Sequence, residues 1–184
     1  MRYKALVFDF FGVICNEIGS PWLAEHNLGD SEEEIERAAD LGIQSQADHF
    51  KQLSELSGVP APEIEREWEG RARFNVELMA LIKEWQKECK IGLLSNAPLP
   101  FFQKLFVESG FVPYFDATVV SSEIGHAKPD PMMYEAILEK LGVRPEEALM
   151  IDDREENIVG AKAVGMDGIL YTSVEDLKRA LGSV

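Results

Sequence analysis

Apolar residues run almost without interruption through five short stretches of the chain, ALVFDF at 5–10, IGLLSN at 91–96, DATVVSS at 116–122, ALMIDD at 148–153 and DGILYT at 167–172. A strand wetted on one face would alternate apolar and polar positions. Continuous runs of this length predict strands covered on both faces, as in a parallel sheet. Between the later runs the apolar positions return at helical spacing, in PLPFFQKLFVESG (98–110), PDPMMYEAILEKLG (129–142) and REENIVGAKAVG (154–165). Prolines 129 and 131 stand where a helix would begin, and glycines stand where helices would stop. Strands alternating with helices through short links predict a doubly wound α/β sheet, Rossmann-like in layout.

The regular alternation breaks once. Between the first and second runs lie about 70 residues that read as helices, in PWLAEHN, SEEEIERAADLG, QADHFKQLSELSG, APEIEREWEG and VELMALIKEWQKE. A parallel crossover needs only about a dozen residues. The surplus predicts a small all-helical insertion at 16–88, with the core made from 1–15 and 89–184.

Composition sets the bounds. At 184 residues the chain has room for one core with a satellite, and 46% hydrophobic with 28% charged residues is ordinary for a globular protein. Its 33 acids against 18 bases leave a net charge of -15. Such a field opposes nucleic acid and anionic membranes, and an anionic ligand would need a local positive device. Cys15 and Cys89 match no zinc or redox spacing, and no run approaches the roughly 18 apolar residues of a membrane span, so a reduced, cytoplasmic setting is expected.

Chemistry collects at the carboxyl ends of the predicted strands, where open α/β sheets bind ligands. The first strand delivers Asp9, the second Ser95 and Asn96, and the fourth Asp152 and Asp153, while Lys128 lies just before a helix that begins at a proline. A carboxylate can attack phosphorus and divide one hard displacement into two easier ones. A hydroxyl and an ammonium can hold phosphoryl oxygens. Paired carboxylates supply the hard oxygen ligands that Mg²⁺ prefers.

Together, VFDFFGV, LLSNA, HAKPDP and IDDREENIVGAKAVG resemble the four motifs of the haloacid dehalogenase-like (HAD) hydrolase superfamily, in the subfamily with a helical cap inserted after the first motif. The resemblance implies Asp9 as nucleophile and Ser95 with Lys128 as the pair holding the phosphoryl group, Asn96 lying beside them in the substrate site. It implies Mg²⁺ on Asp9, Asp153 and the backbone carbonyl of Phe11, with Asp152 assisting through water and Asn157 ordering the last motif. The expected substrate is a small phosphorylated metabolite.

One position departs from that pattern. Phosphatases of this kind carry a second aspartate two residues after the nucleophile to protonate the leaving group and later activate water; here Phe11 stands there. Loss of a positioned acid or base lowers rates by about 10² to 10⁴. The expectation is a slow Mg²⁺-dependent phosphatase working through an aspartyl-phosphate. Two alternatives stand beside it. One is a non-catalytic, phosphate-binding relative. The other is a haloacid dehalogenase, whose family members resemble this pattern in carrying an aromatic residue at the same place. Glu17 and His49 are the residues expected to stand in for the missing acid.

Overall fold

The five apolar runs pair as one parallel sheet in a computed structural model that describes residues 2–182. Its strands are β1 (Ala5–Phe8), β2 (Lys90–Ser95), β3 (Ala117–Val120), β4 (Ala148–Asp152) and β5 (Asp167–Leu170). They lie in the order β3-β2-β1-β4-β5. The chain therefore builds outward from β1 in one direction through β2 and β3, then returns to the other side of β1 for β4. A crevice opens at the carboxyl ends of β1 and β4, where the order reverses, and that is where ligands settle in such sheets. Phe8 is in register with both Leu93 and Ile151, so the ends of the three central strands lie side by side.

Side chains on alternate strand positions enter two apolar layers. Leu6, Phe8, Leu93 and Ile151 face one layer, and Ala5, Val7, Leu94 and Met150 face the other. Burying each of the larger side chains contributes roughly 1.5–3 kcal/mol, which fixes the strand register firmly. Double-sided burial holds for β1 and β4. It fails at β5, an edge strand that is only partly buried and leaves Leu170 exposed, because no strand follows it to require cover.

Strands are shorter at their ends than the apolar runs suggest. β1 stops at Phe8, β2 at Ser95 and β4 at Asp152, which leaves Asp9, Asn96 and Asp153 in the loops just beyond. DATVVSS also ends early, since Ser121–Ile124 turn into a one-turn helix.

Five helices fill the interval between β1 and β2: α1 (Gly19–Glu25), α2 (Glu32–Asp40), α3 (Gln46–Ser57), α4 (Ala61–Arg71) and α5 (Val76–Trp85). Gly58, at φ +77°, ends α3 in the left-handed conformation that glycine adopts without strain. Trp22, Phe50, Ile64 and Trp68 pack α1, α3 and α4 together and join the same apolar layer as Phe101 and Phe102. α5 lies along the sheet, where Trp85 stacks on Phe8 with ring centroids 6.3 Å apart. The later helices are α6 (Leu99–Glu108), α7 (Ser121–Ile124), α8 (Pro131–Leu141), α9 (Glu155–Ala163) and α10 (Val174–Gly182). α8 begins at Pro131, capped by Asp130, whose carboxylate accepts from Met132 N at 2.9 Å.

Candidate active site

Asp9 is the first residue after β1, and its own amide still donates to Ile151 O at 2.9 Å, so the sheet fixes its backbone. The amide of Phe10 donates to Asp9 Oδ1 at 2.7 Å, and Asp9 Oδ2 faces Lys128 Nζ at 2.8 Å. The same ammonium donates to Asp152 Oδ2 at 2.7 Å. Lys128 is only 6% exposed, so its charge stands in a dry setting between two carboxylates. Burial alone would lower its pKa, but Asp152 and Asp9 outweigh that and push it above the ordinary lysine value.

The carboxylates share this charge unequally. Asp152 Oδ1 also accepts from Arg154 N and from Asn157 Nδ2, both at 2.9 Å. Burial raises its pKa, but the Lys128 charge and these hydrogen bonds prevail and hold it below the usual carboxylate range. Asp9 is pushed well above that range by burial and by the charge of Asp152, against the pull of Lys128. Burial and Asp152 likewise raise Asp153. Asp9, Asp152 and Asp153 each offer an oxygen within 4.8 Å of the others, and Asp153 Oδ1 is buried with no hydrogen-bond partner among the described residues. Three carboxylates against one ammonium leave an excess of negative charge that a divalent cation would neutralise.

Gly12 lets the loop after Asp9 approach that cluster. It sits at φ +82°, and a Cβ there would lie 2.1 Å from Asp153 Oδ2. Any larger residue would force the Asp153 carboxylate away.

Of the residues singled out in the sequence, Asp9, Lys128, Asp152 and Asp153 converge at one point. Ser95, the last residue of β2, is fully buried, and its Oγ has no hydrogen-bond partner among the described residues. Asn96 is engaged with the chain itself: its Oδ1 accepts from Lys128 N at 2.8 Å and its Nδ2 donates to Lys128 O at 3.0 Å. This double clamp fixes the backbone of Lys128 to the end of β2. Asn157 is buried and bonds Asp152, tying α9 to the same cluster. Phe11 is wedged edge-on against Phe10 at 4.9 Å and stacked on Phe101 at 6.3 Å.

A cavity of about 870 Å³ opens above Asp9 and Lys128, between the β-strand ends and helices α1, α2 and α4. Phe11, Trp68 and Phe101 line one part of it; Glu17, Arg37 and Asp40 line another. Glu17 thus reaches the cavity. His49 does not line it, being buried behind the wall with its Nε2 3.4 Å from Glu36 Oε1 and its ring stacked on Phe50. Sequence reasoning missed Asp40, because nothing in SEEEIERAADLG distinguishes it from the acids of a solvated helix face. It also missed Ser121 and Ser122, whose hydroxyls bond Ala97 N and Ala97 O and so brace the loop after β2.

Comparison with known proteins agrees with the fold. The model of the haloacid dehalogenase-like hydrolase family matches residues 3–165. A sesquiterpene phosphatase of Aspergillus oryzae is 29% identical over 181 residues, covering 92% of this chain and 90% of the relative. A glyceraldehyde 3-phosphate phosphatase of Methanothermobacter thermautotrophicus is 34% identical over 95 residues, 50% of this chain. The chain spans less than half the length of that relative, 42% of it. Among solved structures, a HAD family enzyme of Bacteroides thetaiotaomicron in complex with magnesium and inorganic phosphate superposes with a TM-score of 0.78 at 23% identity, covering 97% of this chain and 98% of that one.

Proposed function

The chain belongs to the haloacid dehalogenase-like hydrolase family, and from that premise we propose that it is a Mg²⁺-dependent phosphatase of small phosphorylated metabolites, acting through an aspartyl-phosphate on Asp9. The observation that carries this reading is the buried ammonium of Lys128, 2.8 Å from Asp9 and 2.7 Å from Asp152, beside an oxygen of Asp153 that no described residue bonds. A site with three carboxylates and one lysine suits a cation and a phosphoryl anion together. It suits a 2-haloacid anion poorly, since without a cation the carboxylates repel it.

In this reading Asp9, Asp153 and the backbone carbonyl of Phe11 would hold Mg²⁺, with Asp152 beside them. The hard oxygen donors and the close approach allowed by Gly12 fit that ion. When bound, Mg²⁺ neutralises charge between nucleophile and substrate. Lys128 stays protonated and holds a phosphoryl oxygen, and the free hydroxyl of Ser95 donates to another. Asn96 keeps Lys128 in place through its backbone. Asp9 attacks phosphorus in line, the leaving oxygen departs, and water then releases phosphate from Asp9.

Phe11, Trp68 and Phe101 give an otherwise largely polar cavity one apolar patch, which suits a leaving group with an apolar part. The similarity to a sesquiterpene phosphatase agrees with such a group. The test is phosphate release from p-nitrophenyl phosphate and acetyl phosphate, with and without Mg²⁺, beside Asp9→Asn. Release that requires Mg²⁺ and disappears in Asp9→Asn is the expected result. Release from neither substrate, despite their good leaving groups, would move the reading to a binding role.

A further inference from the structure

We propose that Asp40, on the last turn of α2, is the acid that protonates the leaving oxygen and then the base that activates water, the work that Phe11 cannot do. This rests on the phosphatase reading above. Asp40 lines the same cavity as Asp9 and Lys128, from the opposing helical segment. Its helix is anchored on the core. Gly42, at φ +68°, lets the chain after α2 pass so close to Ser122 that a Cβ there would lie 2.5 Å from Ser122 O. Ser122 in turn braces the loop after β2 through Ala97 O at 2.7 Å. The end of α2 that carries Asp40 is therefore held against the loops that follow β2 and β3, on the cavity that Asp9 also lines.

Four other carboxyls on the cavity are less suited, and Glu17 is set against Asp40 by the experiment below. Asp130 caps α8 and faces His126 Nδ1 at 2.9 Å, bonds that keep it ionised below the usual range. Glu36 faces buried His49. Asp30 and Glu156 are exposed at the rim. Asp40 is half-buried, and no side-chain hydrogen bond from a described residue occupies its carboxyl. Burial, then the charge of Glu36 one turn earlier, push its pKa up to about 7. Against them pull His49 on α3, Arg154 before α9 and Lys128. Asp40 and Lys128 line the same cavity, which sets Asp40 on the chamber that the phosphoryl end would enter. A group that titrates near neutrality can both give and take a proton at working pH.

The step balances. Asp9 Oδ forms a bond to phosphorus as the bond to the leaving oxygen breaks, and that oxygen takes the Asp40 proton and leaves as an alcohol. Water then attacks phosphorus as the bond from Asp9 to phosphorus breaks, and gives its proton to the Asp40 carboxylate, which restores the Asp9 carboxylate and the Asp40 acid and releases phosphate.

The experiment compares kcat/KM, which reports events through leaving-group departure, for acetyl phosphate and for a series of aryl and alkyl phosphates. Asp40→Asn is expected to lose about 10² to 10⁴ with alkyl phosphates and under about tenfold with acetyl phosphate, because acetate leaves unprotonated. The basic limb of the pH profile near 7 should vanish with it, and Asp40→Glu should restore part of the loss. A second readout needs no turnover. A carboxyl raised by folding destabilises the native state progressively as pH climbs from the unfolded value toward 7, so Asp40→Asn should raise Tm more at pH 8 than at pH 5.

Equal loss across all leaving groups, an unchanged pH profile, or a leaving-group-selective loss in Glu17→Gln in place of Asp40→Asn would each overturn the role of Asp40 while leaving the phosphatase reading intact. Absence of Asp9-dependent release from acetyl phosphate would overturn both.

Discussion

Lys128 stands where the charges of this site are decided. Its ammonium is nearly fully buried and makes close contacts to two carboxylates that otherwise face each other. Removing one member of such a group leaves uncompensated buried charge, typically a loss of about 3–5 kcal/mol. Lys128→Met should therefore abolish turnover and lower Tm sharply, and adding Asp152→Asn should recover much of the stability without the activity. Thermal melts of the two variants check this; a single variant as stable as the parent would contradict the buried geometry. At this scale the sequence singled out Asp9, Ser95, Asp152 and Asp153 because each ends or follows an apolar run, and Lys128 because it stands just before a helix that begins at a proline; of these the structure brings Asp9, Lys128, Asp152 and Asp153 together. It did not reveal the clamp of Asn96 on Lys128, which joins residues 32 positions apart. Nor did it reveal Asp40, whose surroundings come from α3, α9 and the Lys128 loop.

Elements convey those residues to one place. α9 is pressed on the loop carrying Lys128 through Gly160, where a Cβ would come within 2.8 Å of both Pro129 Cβ and Tyr134 Oη. Tyr134 also donates from α8 to Asn157 O at 2.8 Å. Gly160→Ala should cost about 1–3 kcal/mol by overpacking and reduce activity by displacing Lys128; chemical denaturation and phosphate release measure the two effects. Strand number and the βα alternation were legible, since double-sided burial writes itself as unbroken apolar runs. α7 was not, as its four residues are too few to show a period. α10 had a readable start, for Ser173 accepts from Asp176 N at 3.1 Å in the Ser-x-x-Asp pattern of a helix cap. The weak apolar content of β5 reflects its edge position.

Across the whole molecule, a net charge of -15 surrounds a site that accepts an anion. The long-range field repels an anionic substrate, and at short range the charge of Lys128, with Arg37 and Arg154 also lining the cavity, would draw it in together with a cation. Screening acts on the first and spares the second, since the Debye length falls to about 10 Å at 0.1 M salt. At saturating Mg²⁺, kcat/KM for acetyl phosphate should therefore rise as salt is raised from about 10 mM to about 100 mM. A fall over that range would mean that a positive surface steers the substrate. No helix among the described residues is long and apolar enough to cross a membrane. The helices before β2 share one apolar layer with the sheet, so cavity and strand ends are parts of a single packed body.

The proposed passage of the phosphoryl group through Asp9 is the step on which the rest depends. We would quench the protein in acid while it turns over radiolabelled acetyl phosphate, and map any covalent label by peptide. Label that needs Mg²⁺, lies on the peptide containing Asp9 and is missing from Asp9→Asn is the expected result. Label on another residue, or full turnover by Asp9→Asn, would contradict it.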